Sequence, residues 1–82
     1  MTEEIMIDAI KSRIEKAMSV ESIKVQGGHG HYTIKVVSKD FIGKSMVKQQ
    51  QMVYAAITDL MKGADAPIHA IDLMETKEPA AH

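Results

Sequence analysis

With no cysteine among its 82 residues, the sequence leaves metal and proton chemistry mainly to histidine. Three of its four histidines stand in suggestive places. His29 and His31 flank Gly30 in the run Gly27-Gly28-His29-Gly30-His31, and His69 follows Ile68 near the far end of the chain. Neutral imidazole is the commonest protein ligand for transition metals, and two imidazoles on one rim supply half of a four-coordinate site. Spacing alone favours plainer roles: a solvated loop for His29 and His31, and for His69 a packed ring with one satisfied nitrogen. Other chemistries have less to work with. Without a thiol there is no disulfide framework, thiolate nucleophile or thiolate metal ligand. The serines lack a nucleophile-elbow context, no acid pair is placed for general acid–base work, and so short a chain offers little pocket volume. A binding protein is expected, not an enzyme.

The lysines form the second candidate constellation. Lys24, Lys35, Lys39, Lys44 and Lys48 are accompanied over that stretch by one acid, Asp40, whereas the whole chain carries a formal charge of −1. Near-neutrality argues against strong nonspecific nucleic-acid binding, which needs several phosphate contacts. It leaves room for a local basic patch, in which Lys35, Lys39, Lys44 and Lys48 are the candidate contacts. Residues 27–30 match the GxxG of KH nucleic-acid domains, but there the loop joins two helices and here it joins two strands.

These residues must be held by a small framework. Thr2 can cap a helix over Glu3–Met18, whose stripe is Met6, Ile10, Ile14, Ala17 and Met18. Ser22 to Gln26 and His31 to Ser38 read as two strands of a hairpin, with Tyr32, Ile34 and Val36 on one face. Phe41 plugs the core from the following turn. A second helix runs from Ser45 to Lys62 with Met46, Val53, Ile57, Leu60 and Met61 inward, and Gly63 stops it. Ile68 to Met74 is a third strand alternating through Ile71 and Leu73. The domain spans residues 1–76, and residues 77–82 form a flexible tail with no apolar anchor.

The order helix, strand, strand, helix, strand makes the last two strands parallel neighbours, with both helices on one sheet face. Parallel neighbours begin at one edge. His31 and His69 then start adjacent strands beside the loop carrying His29, with His69 partly under the sheet edge. The core is thin and methionine-rich, with seven Met against three aromatics. The acidic N-terminus is no secretory signal and no apolar run could span a bilayer, so a cytoplasmic protein is expected.

The ordered combination of His31-Tyr32-Thr33-Ile34-Lys35-Val36-Val37-Ser38, Phe41-Ile42-Gly43, Val47 to Tyr54 and Ile68-His69-Ala70 resembles the BolA family. Lys48-Gln49-Gln50 is similar to the IbaG (YrbA) branch. Many relatives continue into a further short helix with a Trp-containing motif, and this sequence contains no Trp. The resemblance implies an α+β fold, a class II KH-like αββαβ arrangement with a three-stranded mixed sheet. It further implies a monothiol glutaredoxin partner and a shared [2Fe–2S] cluster, the glutaredoxin and glutathione supplying thiolates and the isolated chain being apo. His69 matches the late-strand ligand, His29 lies in the loop that provides the other, and His31 matches the strand-start histidine. A role in iron–sulfur trafficking or iron regulation follows. The alternative is a KH-like nucleic-acid-binding transcriptional or stress regulator. DNA or RNA and a second copy of the chain are the other candidate partners, and no membrane is expected.

Overall fold

In the computed structural model, which describes residues 3–63 and 66–80, the apolar stripe of Ile10, Ile14 and Met18 is buried along α1 (Glu3–Ala17). Ala17, expected on that stripe, is exposed, and Thr2 lies outside the described residues. The chain then forms β1 (Val20–Gly28), β2 (His31–Ser38), a 3₁₀ turn (Lys39–Phe41), α2 (Met46–Met61) and β3 (Ala70–Lys77). Sheet order is β1-β2-β3, antiparallel across the hairpin and parallel between β2 and β3. The α+β architecture and its mixed three-stranded sheet are those expected.

Alternation on β2 separates the two sheet faces. Tyr32, Ile34 and Val36 are buried with Val25 of β1, while α1 packs on β1, α2 on β3, and the helices on each other. Phe41 is wholly buried, as anticipated. Ser45 caps α2 by accepting the Lys48 N–H at 3.1 Å, and Val53, Ile57 and Leu60 face the core. Met46 does not. It occupies the first turn, ahead of the core, and is 56% exposed. Arg13 fastens α1 to α2 through Asp59, with Nε and Nη2 at 2.9 and 2.8 Å from Oδ2.

β3 departs most from the sequence reading. Its register with β2 shifts after Tyr32↔Ile71, so that Thr33 pairs with Leu73 and Asp72 is the additional residue of a bulge. One added residue reverses the facing of everything beyond it. Leu73, expected inward, is therefore half exposed, while Met74 packs on the core and Thr76 is buried. The strand also runs later than expected, to Lys77, and Pro79 is buried, so the packed domain extends past residue 76. A polar lock holds this end. The Thr76 hydroxyl donates to Gln49 Oε1 at 2.8 Å, and Gln49 Nε2 donates to the carbonyls of Lys44 and Phe41 at 2.9 and 3.3 Å.

Candidate functional site

The hairpin turn is tighter than its four-residue glycine run suggests. Gly28 pairs with His31, leaving only His29 and Gly30 between the strands, at φ 56° and 83°. Positive φ at both central residues is what a type I′ two-residue turn requires and what matches the twist of the flanking strands. The Gly30 carbonyl then accepts two backbone N–H groups from across the fold, His69 at 2.8 Å and Ala70 at 3.0 Å. A single carbonyl thus pins the start of β3 to the hairpin tip.

The side chains follow this anchor. The His69 ring lies over the α-carbon of residue 30: a Cβ there would come within 2.8 Å of its Cγ and 3.0 Å of its Nδ1. His69 is exposed, not tucked under the sheet edge, because it precedes β3 and its backbone N–H is engaged by the turn. His31 pairs with Ala70 in the parallel ladder, on the face away from the helices, and its Nδ1 stands 3.1 Å from Asp72 Oδ1. An Nδ1–H imidazole donating to that carboxylate keeps the Nε2 lone pair for a hydrogen-bond donor or a metal ion. His29 is exposed at the turn tip.

All three histidines therefore share one rim. They do not close a site: among the described residues no three His, Cys, Asp or Glu side chains are grouped to hold a metal ion. The expectation that three rings meet is corrected: the His69 ring lies against Gly30, the His31 ring turns to Asp72, and His29 stands at the turn tip. Asp72 went unnoticed in the sequence, since its reach toward His31 depends on the bulge and no local signal marks it.

The lysines are divided. Lys35 lies on the uncovered sheet face, directly opposite Lys24 and 3.8 Å from Glu75. Lys39 is in the 3₁₀ turn, and Lys44 and Lys48 are exposed at the start of α2, which packs on the other side of the sheet. Of the Lys48-Gln49-Gln50 segment, two residues serve packing: Gln49 in the lock described above, and Gln50 by donating to the Met74 carbonyl at 3.3 Å.

Comparison with known proteins agrees with this architecture. The sequence profile of the BolA-like protein family matches residues 5–80. The chain is 34% identical over 64 residues to the acid stress protein IbaG of Escherichia coli K12, covering 78% of this chain and 74% of that one. It is 30% identical over 82 residues to mouse BolA-like protein 1, covering 88% of this chain and 57% of the mouse protein. Among solved structures, the BolA domain of SufE1 from Arabidopsis thaliana superposes with a TM-score of 0.78 at 25% identity, over 92% of this chain and 93% of that one. With the αββαβ order, the mixed sheet and the His31/His69 rim in place, the chain belongs to the BolA family and is IbaG-like.

Proposed function

We propose that this chain is a binding module that lends two imidazoles, His69 and His31, to a [2Fe–2S] cluster whose remaining ligands come from a monothiol glutaredoxin and glutathione. The observation that carries the reading is the Gly30 carbonyl, which accepts from both His69 and Ala70 and so brings residues 31 and 69 to one edge. The donor set fits the group. A two-iron cluster takes four protein-type ligands, and a chain without cysteine offers at most the imidazole half. Replacing thiolates with imidazoles raises the potential of such a cluster and couples it to proton uptake.

Between His31 and His29, the pairing with Asp72 favours His31. Histidines that bind metals characteristically donate their second ring nitrogen to a carboxylate, which fixes tautomer and ring orientation. The turn contributes as well, since Gly30, the residue before His31, leaves space for the His69 ring. The nucleic-acid alternative loses ground because Lys35 is separated from Lys44 and Lys48 by the sheet. The chain then acts as an adaptor in cluster trafficking or iron regulation.

Visible circular dichroism tests this directly. Adding the chain to a cluster-loaded monothiol glutaredoxin should change the spectrum, His69→Ala and His31→Ala should each abolish the change, and His29→Ala should retain it. An unchanged spectrum with the wild-type chain refutes the shared cluster. Loss with His29→Ala but not His31→Ala moves the second ligand to the turn tip.

A further inference from the structure

Both helices pack on one side of the sheet, and no described element covers the other. Across that open face the strands align three rows: Ser22, Val37 and Lys77; Lys24, Lys35 and Glu75; Gln26, Thr33 and Leu73. The middle row puts two ammonium groups directly opposite each other. Like charges in that position destabilise a sheet, so this pairing works against folding unless something else uses it. Glu75 offsets the excess only in part, with Oε1 3.8 Å from the Lys35 amine and Oε2 4.0 Å from that of Lys77. Three lysines against one glutamate, in a chain whose overall charge is −1, is a segregated positive field. A depression of about 310 Å³ opens among Ser22, Lys24, Lys35, Val37, Glu75 and Lys77, and Leu73 adds a half-exposed apolar side chain in the next row.

We infer that this open sheet face docks an acidic surface of a protein partner. The charged row of Lys24, Lys35 and Glu75 lies at the centre, with Val37 and Leu73 in the rows on either side, so the face selects a partner first by complementary charge. The face suits nucleic acid poorly. Sheet surfaces that read single strands stack bases on aromatic side chains, whereas Tyr32 and Phe41 are buried and Tyr54 lies on α2. Position supports the same choice. Lys35 stands on the strand and face that carry His31, four residues or about 13 Å away, so a protein seated on the lysines also reaches the rim. That the partner is the glutaredoxin rests on the function proposed above; its acidic character does not.

Amide shifts of the ¹⁵N-labelled full chain, titrated separately with a monothiol glutaredoxin, a polyglutamate peptide and a single-stranded oligonucleotide, test the inference. Glutaredoxin should shift residues 22, 24, 35, 37 and 77, and Lys24→Glu with Lys35→Glu should weaken binding by on the order of tenfold, mainly through association rate and salt dependence. Lys16→Glu, on α1, should bind like the wild type. Lys24→Glu alone turns the like-charge pair with Lys35 into an opposite-charge one, so an undiminished thermal midpoint in that variant separates lost binding from lost fold, whereas Lys35→Glu also gives up the contact with Glu75. If glutaredoxin does not bind, the cluster reading fails and polyglutamate decides the face: shifts confined to these residues and removed by the reversals support acidic docking, and none at low salt overturns it. Glutaredoxin binding unaffected by charge reversal, or an oligonucleotide displacing polyglutamate from these residues, also overturns it.

Discussion

Replacing Gly30 by alanine tests how closely the His69 ring depends on the hairpin turn. Gly30 and Gly43 have nearly the same φ, 83° and 80°, so an alanine at either meets a left-handed penalty of about 1–2 kcal/mol. Only at Gly30 does the added methyl meet anything. It would lie 2.8 Å from His69 Cγ, 3.0 Å from Nδ1 and 3.2 Å from Cβ, whereas nothing lies within 4 Å at Gly43. The imidazole can rotate away, leaving its preferred rotamer at an additional cost of about 0.5–1.5 kcal/mol. At about 4–8 °C per kcal/mol for a domain of this size, Gly30→Ala should melt several degrees below Gly43→Ala. Thermal unfolding followed by far-ultraviolet circular dichroism measures the gap. In the background of His69→Ala the additional loss should vanish while the shared backbone penalty remains. Equal melting of the two glycine variants, or a gap that persists without the His69 ring, would refute the placement of that ring over the turn.

Three further outcomes follow from the same coordinates. Thr76→Val removes the donor to the Gln49 carbonyl oxygen and should lower stability by about 1–3 kcal/mol in urea, with Thr76→Ser retaining most of it. Asp59→Asn probes the interhelical clamp. The hydrogen bond from Arg13 holds the Asp59 carboxyl below its ordinary range, so its contribution is full above the unfolded value near 3.9 and fades as pH falls through the lower folded value. The stability difference between wild type and variant should be level at neutral pH, disappear in strong acid and shrink with salt. Asp72→Ala should shift His31 in the apo chain away from the Nδ1–H tautomer, read from imidazole ¹⁵N shifts. It should also weaken cluster retention in the mixed complex about 10–100-fold.

Periodicity made much of the fold legible. Ile10, Ile14, Val53, Ile57 and Leu60 recur at helical spacing and are buried, while Tyr32, Ile34 and Val36 alternate and are buried together. The shared edge of residues 31 and 69 followed from element order alone, since a strand–helix–strand unit returns its strands in parallel. The errors have one main source. A bulge adds a residue without changing composition, so Ile71-Asp72-Leu73-Met74 reads as plain alternation even though its second half faces the other way. Tail packing was missed for a related reason. The anchor there is a buried hydroxyl meeting an amide 27 residues away, a match that no apolar pattern can announce.

That long-range match also changes what the Lys48-Gln49-Gln50 segment means. By sequence it is similar to the IbaG branch, and its Lys48 is one of the candidate nucleic-acid contacts. In the fold, Gln49 is buried with its amide divided between two carbonyls and its oxygen taken by Thr76, and Gln50 holds the Met74 carbonyl. Both therefore act on the C-terminal half of β3, beyond the bulge. Asp72 can reach His31 only while the bulged register holds, and that register is fixed at one end by Gly30 and at the other by the two glutamines. The glutamines influence the histidine rim from inside the protein, by keeping the strand that carries Asp72 in place, without touching a partner.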